Sequence, residues 1–176
     1  MKKQILAMAV FAAGLMILGS GTAKAQATQQ VIVNVDLKET MGIFPGTGGT
    51  SIPNFEFQNA EDYTKAQDKE KDKQLQVVST EDYKITVRAE TPTFNSTQSA
   101  ATLPLNILTV AARQSNAGSF QSSITPTTTD QVIFTGGKAT IGEDFDFSYI
   151  ITPNQTMIEA PKELYNVTLT YTVSAE

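Results

Sequence analysis

Apolar and polar residues alternate along most of this chain. Val31, Val33, Val35 and Leu37 alternate with Ile32, Asn34, Asp36 and Lys38. Successive side chains of a strand point to opposite faces, so this spacing predicts a half-buried strand. Tyr83, Ile85, Val87 and Ala89 alternate with Lys84, Thr86 and Arg88, and Phe145, Phe147 and Tyr149 with Asp144, Asp146 and Ser148. The longest run sets Tyr165, Val167, Leu169, Tyr171 and Val173 against Asn166, Thr168, Thr170, Thr172 and Ser174. Shorter strands are predicted at Phe55 and Phe57, around Leu75 and Val77, and from Gln131 to Thr135. The stretch from Leu103 to Val110 is rich in Leu and β-branched residues and predicts a central strand.

Turn signals separate these runs. Gly42 to Pro53 concentrates Gly and Pro and predicts a loop, Thr91-Pro92-Thr93 ends the strand before it, and Gly136-Gly137 marks a tight turn. Ser115 to Thr129 is mostly Ser, Thr, Asn and Gln and predicts another loop. Residues 61–73 are crowded with nearly cancelling charges, which predicts an exposed loop or a short helical excursion. Eight or nine short strands with no long helix describe an all-β fold, an immunoglobulin-like antiparallel β-sandwich.

The first residues carry a different pattern. Positive charge at Lys2 and Lys3 precedes an uncharged apolar run from Ile5 to Leu18, then Gly19, Ser20, Gly21 and the Ala23-Lys24-Ala25 triplet. This is the layout of a secretory signal peptide, with cleavage expected after Ala25. The run is short for a spanning helix, so no stable membrane insertion is expected once it is removed. Residues 26–176 then form a single domain, and the protein is exported to the cell surface, the periplasm or the medium.

Composition narrows the chemistry. The chain has no Cys, His or Trp. That excludes thiol nucleophiles, Ser-His-Asp triads and the usual zinc or haem ligation. The 176 residues include 13 basic and 18 acidic ones, net −5. Losing Lys2, Lys3 and Lys24 with the signal leaves 10 basic against 18 acidic, net −8. Nucleic acid and anionic membrane surfaces are poor partners for that charge.

Few residues offer more. Gly46-Thr47-Gly48-Gly49 is glycine-rich, but no Lys follows it and no helix is predicted after it, so a phosphate cradle is not expected. Glu143, Asp144 and Asp146 could offer oxygen ligands to calcium and hold the only plausible carboxylate pair for glycosidase-like chemistry; a solvated strand face explains them without either. No catalytic residue, metal ligand or cofactor is assigned. Tyr83, Tyr165 and Tyr171 fall on the apolar sides of their strands. They are core tyrosines, or else edge rings that stack on a glycan or a partner.

The stretch Tyr165 to Val173, with Leu169 and Thr170 in register, resembles the distal motif of the WxL family of bacterial cell-surface domains. Tyr171 stands at the Trp place and Val173 at the Leu place. Leu75 to Ala89 is similar to the family's first motif region, with Tyr83 at the Trp and Ile85 at the Leu. The resemblance implies a non-catalytic domain that binds cell wall, with Tyr83, Tyr165, Leu169 and Tyr171 as candidate contact positions. The Gly42–Pro53 loop and residues 61–73 are further candidate contact surfaces. The layout is also similar to chaperone–usher pilins, in which an alternating N-terminal extension completes a neighbour's sheet. That similarity implies a structural subunit whose donor strand spans residues 29–38, with Val31, Val33, Val35 and Leu37 as its apolar side. Expected partners are therefore cell-wall glycan, an envelope protein, or copies of the chain itself.

Overall fold

A computed structural model describes residues 30–49 and 52–176. The expected signal peptide, residues 1–25, lies outside the described residues, as does Gln29. The chain divides into two units, residues 1–36 and 37–176, and the second holds every described strand.

That unit is an antiparallel, sandwich-like all-β fold of ten strands in three sheets. The strands are β1 (Met41–Pro45), β2 (Gln67–Ser79), β3 (Tyr83–Ala89), β4 (Thr93–Ser96), β5 (Thr102–Pro104), β6 (Leu108–Gln114), β7 (Gln131–Gly137), β8 (Thr140–Ile151), β9 (Tyr165–Asn166) and β10 (Leu169–Ala175). The four-stranded sheet runs β1-β2-β8-β6, and two three-stranded sheets run β10-β3-β7 and β5-β4-β9. A five-residue helix, α1 (Gln155–Glu159), and two 3₁₀ turns complete it. Asn154 caps α1 by accepting from the Met157 N–H, which satisfies one of the donors a helix start leaves open.

The first two sheets meet through aromatic and β-branched side chains. Tyr83, Ile85 and Val87 of β3 and Phe145 and Phe147 of β8 have no exposed surface. Phe134 of β7 meets Phe145 edge-on at 4.8 Å, and Tyr171 of β10 meets Phe147 at the same distance. Burying each such side chain contributes about 1.5–3 kcal/mol, which makes these facing rows the main stabilising layer. The β3 expectation is met residue for residue, because its inward residues are the ones the alternation marks.

Several other expectations need correction. Residues 30–40 form no strand. Gly42 to Pro45 belong to β1 rather than to a loop. Phe55 and Phe57 lie in irregular chain and pack on the core from outside, with Phe57 5.1 Å from the Tyr63 ring. The charged run is a 3₁₀ turn at Ala60–Tyr63 followed by the first half of β2. A 3₁₀ turn at Leu105–Ile107 splits the stretch predicted as one central strand, and β6 ends its sheet. The last alternating run also divides. β9 joins the β4 sheet, while β10 pairs with β3.

Candidate functional site

Strand β3 and strand β10 place three of the four motif positions in one sheet. Their register sets Tyr171 opposite Val87, Ala175 opposite Tyr83 and Leu169 opposite Ala89. The tyrosines there serve as framework. Tyr83 is 0% exposed, and its ring fills the space where a Gly137 side chain would be. Its hydroxyl is buried without a hydrogen-bond partner. Burial, then the nearby Glu143 carboxylate, pushes its pKa up to about 12.

Tyr171 is half-buried, and its hydroxyl turns inward to share a 2.8 Å hydrogen bond with the Tyr149 hydroxyl. Tyr149 in turn donates to Gln74 Oε1 at 2.8 Å. Burial raises both phenols, Tyr149 to about 12 and Tyr171 well above its ordinary value. Tyr165 lies apart on β9, half-buried, donating to the Pro161 carbonyl at 2.9 Å. Leu169 is half-buried and packs against the core. Tyr83 thus lies in the core, and Tyr165, Leu169 and Tyr171 pack against it.

The acidic residues on β8 do not converge. Among the described residues no group of three or more His, Cys, Asp or Glu side chains is placed to hold a metal ion. Asp146 is 3% exposed, not on a solvated face as the alternation suggests. It accepts from the Lys73 backbone N–H at 2.8 Å, from Ser115 Oγ–H and from Arg113 Nε–H at 3.1 Å. Burial alone would raise this carboxyl, but these donors outweigh it and hold the pKa below the ordinary value. The chemistry of Asp146 is therefore structural: it fastens an irregularity in β2. The β2–β8 register shifts between Lys71 and Leu75, and Lys73 there has a φ of 48°.

The glycine-rich turn closes over the same irregularity. The N–H groups of Gly46 and Gly48 donate to the Gln74 and Lys73 carbonyls, both at 2.9 Å. A Cβ at either glycine would land on a β2 carbonyl oxygen, so only glycine permits this approach. This turn grips β2, and its Gly46 and Gly48 N–H groups are spent on that grip.

Besides single exposed side chains such as Ile52, Ile141 and Leu164, two continuous apolar features among the described residues are open to solvent. One is the alternating N-terminal stretch, whose apolar side chains range from 75% exposed at Val35 to 87% at Leu37. The other is a groove of about 490 Å³ along the outer side of β7, lined by Phe120, Gln121, Ser122, Ile124, Val132, Ile133 and Thr135. Its far wall is the chain after β6. There Gln121 N–H donates to the Ala112 carbonyl, Ile124 bridges Val110, and Arg113 lies 4.3 Å over the Phe120 ring. The groove escapes a sequence reading because Phe120 and Ile124 stand alone in a polar stretch. Their only signal is two large apolar residues inside a predicted loop.

No family model matches the chain, and no curated protein matches it. Among the described residues no helix is long and apolar enough to cross a membrane.

Proposed function

We propose that this protein is an exported, non-catalytic structural subunit of the bacterial envelope, which joins other copies by donating residues 29–38 as a β-strand. The observation that carries this reading is the exposure of Val31, Ile32, Val33, Val35 and Leu37 in a stretch that forms no strand. Leaving such side chains in water forgoes about 1.5–3 kcal/mol each, and pairing with a sheet edge recovers it. Strand addition supplies backbone hydrogen bonds for affinity and alternate side-chain pockets for specificity, and an alternating stretch suits both. Export rests on the charged, apolar and small-residue order of residues 1–25.

A second reading, a WxL-like module that binds cell wall, draws support from the β3–β10 pairing. It brings the two motif regions, with Tyr83 and Tyr171, onto neighbouring strands. Under that reading the tyrosines are framework and the glycan contact falls to the Gly46–Gly49 turn and the charged half of β2.

Size exclusion with light scattering separates the two. Strand donation predicts a ladder of masses for the exported chain and a single monomer mass for a Val33→Asp, Val35→Asp variant. A wild-type monomer that co-pellets with isolated peptidoglycan would overturn strand donation in favour of wall binding.

A further inference from the structure

Strand donation requires a receiving edge, and the fold holds several strand ends of very different character. The outer edge of β2 beyond β1 runs through Asp68, Lys69, Glu70, Lys71 and Asp72, because β1 covers only Leu75 to Ser79. An edge of alternating charge repels an incoming apolar strand, since each charge would have to be desolvated. The β7 edge differs. β7 ends its sheet, with β3 along one side, and the groove along its other side has no charged lining residue. Val132, 46% exposed, and the half-buried Ile124 line it with apolar surface.

Gln121 gives the groove a second property. Its side-chain amide donates to the Thr135 carbonyl at 3.0 Å and accepts from the Thr135 N–H at 3.0 Å. Those are the two bonds that a residue of a neighbouring antiparallel strand exchanges with its partner. The amide therefore caps one outward-facing residue of β7 as a strand would. A strand entering the groove would take over both bonds, and the flexible Gln121 side chain would swing out to water.

The N-terminal stretch fits this edge in length and pattern. Residues 31–37 match the seven residues of β7. Their alternation sends Val31, Val33, Val35 and Leu37 to one face and Ile32, Asn34 and Asp36 to the other, so one face is wholly apolar, as the apolar wall of the groove demands, and the mixed face is left to the open side. Building on the strand-donation reading, we infer that the outer edge of β7 is the acceptor: residues 31–37 of a second copy enter the groove between β7 and residues 120–124 and displace the Gln121 amide from Thr135.

The chain has no cysteine, so a disulfide between two introduced cysteines reports this contact cleanly. One population of the full chain carries Val132→Cys. A second, distinguishable by an affinity tag, carries a single cysteine at Val31, Val33, Val35 or Leu37. The two are mixed, held under mild oxidation, and read by non-reducing electrophoresis. A disulfide forms readily only when the Cα atoms come within about 4.4–6.8 Å. The expected result is a mixed dimer from at least one position of the alternating set, and none from a control pair using Ile158→Cys, which is exposed on α1. A Val132→Glu variant should in addition show only monomer mass alone, yet form a one-to-one dimer when mixed with the Val33→Asp, Val35→Asp variant, because each supplies what the other lacks.

Two failures are distinguishable. If wild-type oligomers form and depend on Val33 and Val35, but Val132→Cys gives no mixed dimer and Val132→Glu changes nothing, strand donation stands and the β7 acceptor is overturned. If the wild-type chain is monomeric and no pair cross-links, both are overturned.

Discussion

Residues 31–37 and residues 67–73 are equally long, and their patterns and their structures point in opposite directions. The first stretch alternates cleanly and is rich in β-branched residues, yet it forms no strand. The second is almost wholly charged and reads as a loop, yet it is the first half of β2. The difference lies in what stands beside each. Gln67 to Lys71 pair in register with Ile151 to Phe147 of β8, whose own inner face is locked in the core. A strand so placed needs no apolar residues of its own, because backbone pairing and a well-packed neighbour hold it. Its charges then serve a purpose, since they keep an edge from recruiting other chains. Residues 31–37 have the side chains of a strand without a strand beside them in the described fold.

This contrast can be broken or sharpened by substitution. The largest effect is expected for Phe147→Ala, which removes the ring opposite Lys71 and against Tyr171. The loss should be about 3–5 kcal/mol by chemical denaturation. A loss below about 0.5 kcal/mol, typical of surface sites, would show that the charged half of β2 is not held through β8.

Asp146→Ala should cost about 1–3 kcal/mol, because it strands the Lys73 N–H where β2 changes register and leaves the Arg113 guanidinium with Glu70 as its remaining carboxylate partner. The pH dependence has a definite sign. The Asp146 carboxyl is depressed in the folded protein, so its contribution is complete above the ordinary value of 3.8 and is lost as pH falls through the folded value. Acid unfolding of the Asp146→Ala variant should therefore be shallower than that of the wild type, and equal slopes would refute the tie.

Tyr171→Phe comes next, at about 1 kcal/mol, because Tyr149 keeps its bond to Gln74 of β2 and loses only one partner. Phenols raised by burial stabilise the fold fully below the free value of 10.0, and that stability fades as pH rises toward about 12. Removing one phenol should reduce the alkaline loss, as followed by circular dichroism between those limits. The smallest effect should come from the first stretch itself: Val33→Asp with Val35→Asp should change the stability of the monomeric domain by less than about 0.5 kcal/mol. A loss of several kcal/mol would mean that these residues complete their own domain.

The candidate site was legible in part. The alternation picks out Val31, Val33, Val35 and Leu37, but an identical pattern describes an ordinary first strand, and only exposure separates the two. Tyr83, Tyr165, Leu169 and Tyr171 were found by position. Their framework role emerges from the facing rows of β3 and β8 and from the Tyr149–Tyr171 hydroxyl pair, which residues distant in sequence create. Asp146 reads as solvated because its strand alternates, and it is buried because Arg113, Ser115 and Lys73 close over it from two other strands and a turn. Val132 and Gln121 carry no local signal, since a groove is defined by what is absent between two segments.

Local pattern by itself settled the all-β class, the bounds of β3 and the inward faces of β3 and β8, because a period of two is written in neighbouring residues. Tertiary structure alone decided which stretches become strands at the margins: residues 67–73 do and residues 31–37 do not. It also decided that β9 and β10 part company, and that β7 is left with an open side. Strand pairing joins residues tens of positions apart, and whether a partner is there to pair with is a property of the whole fold.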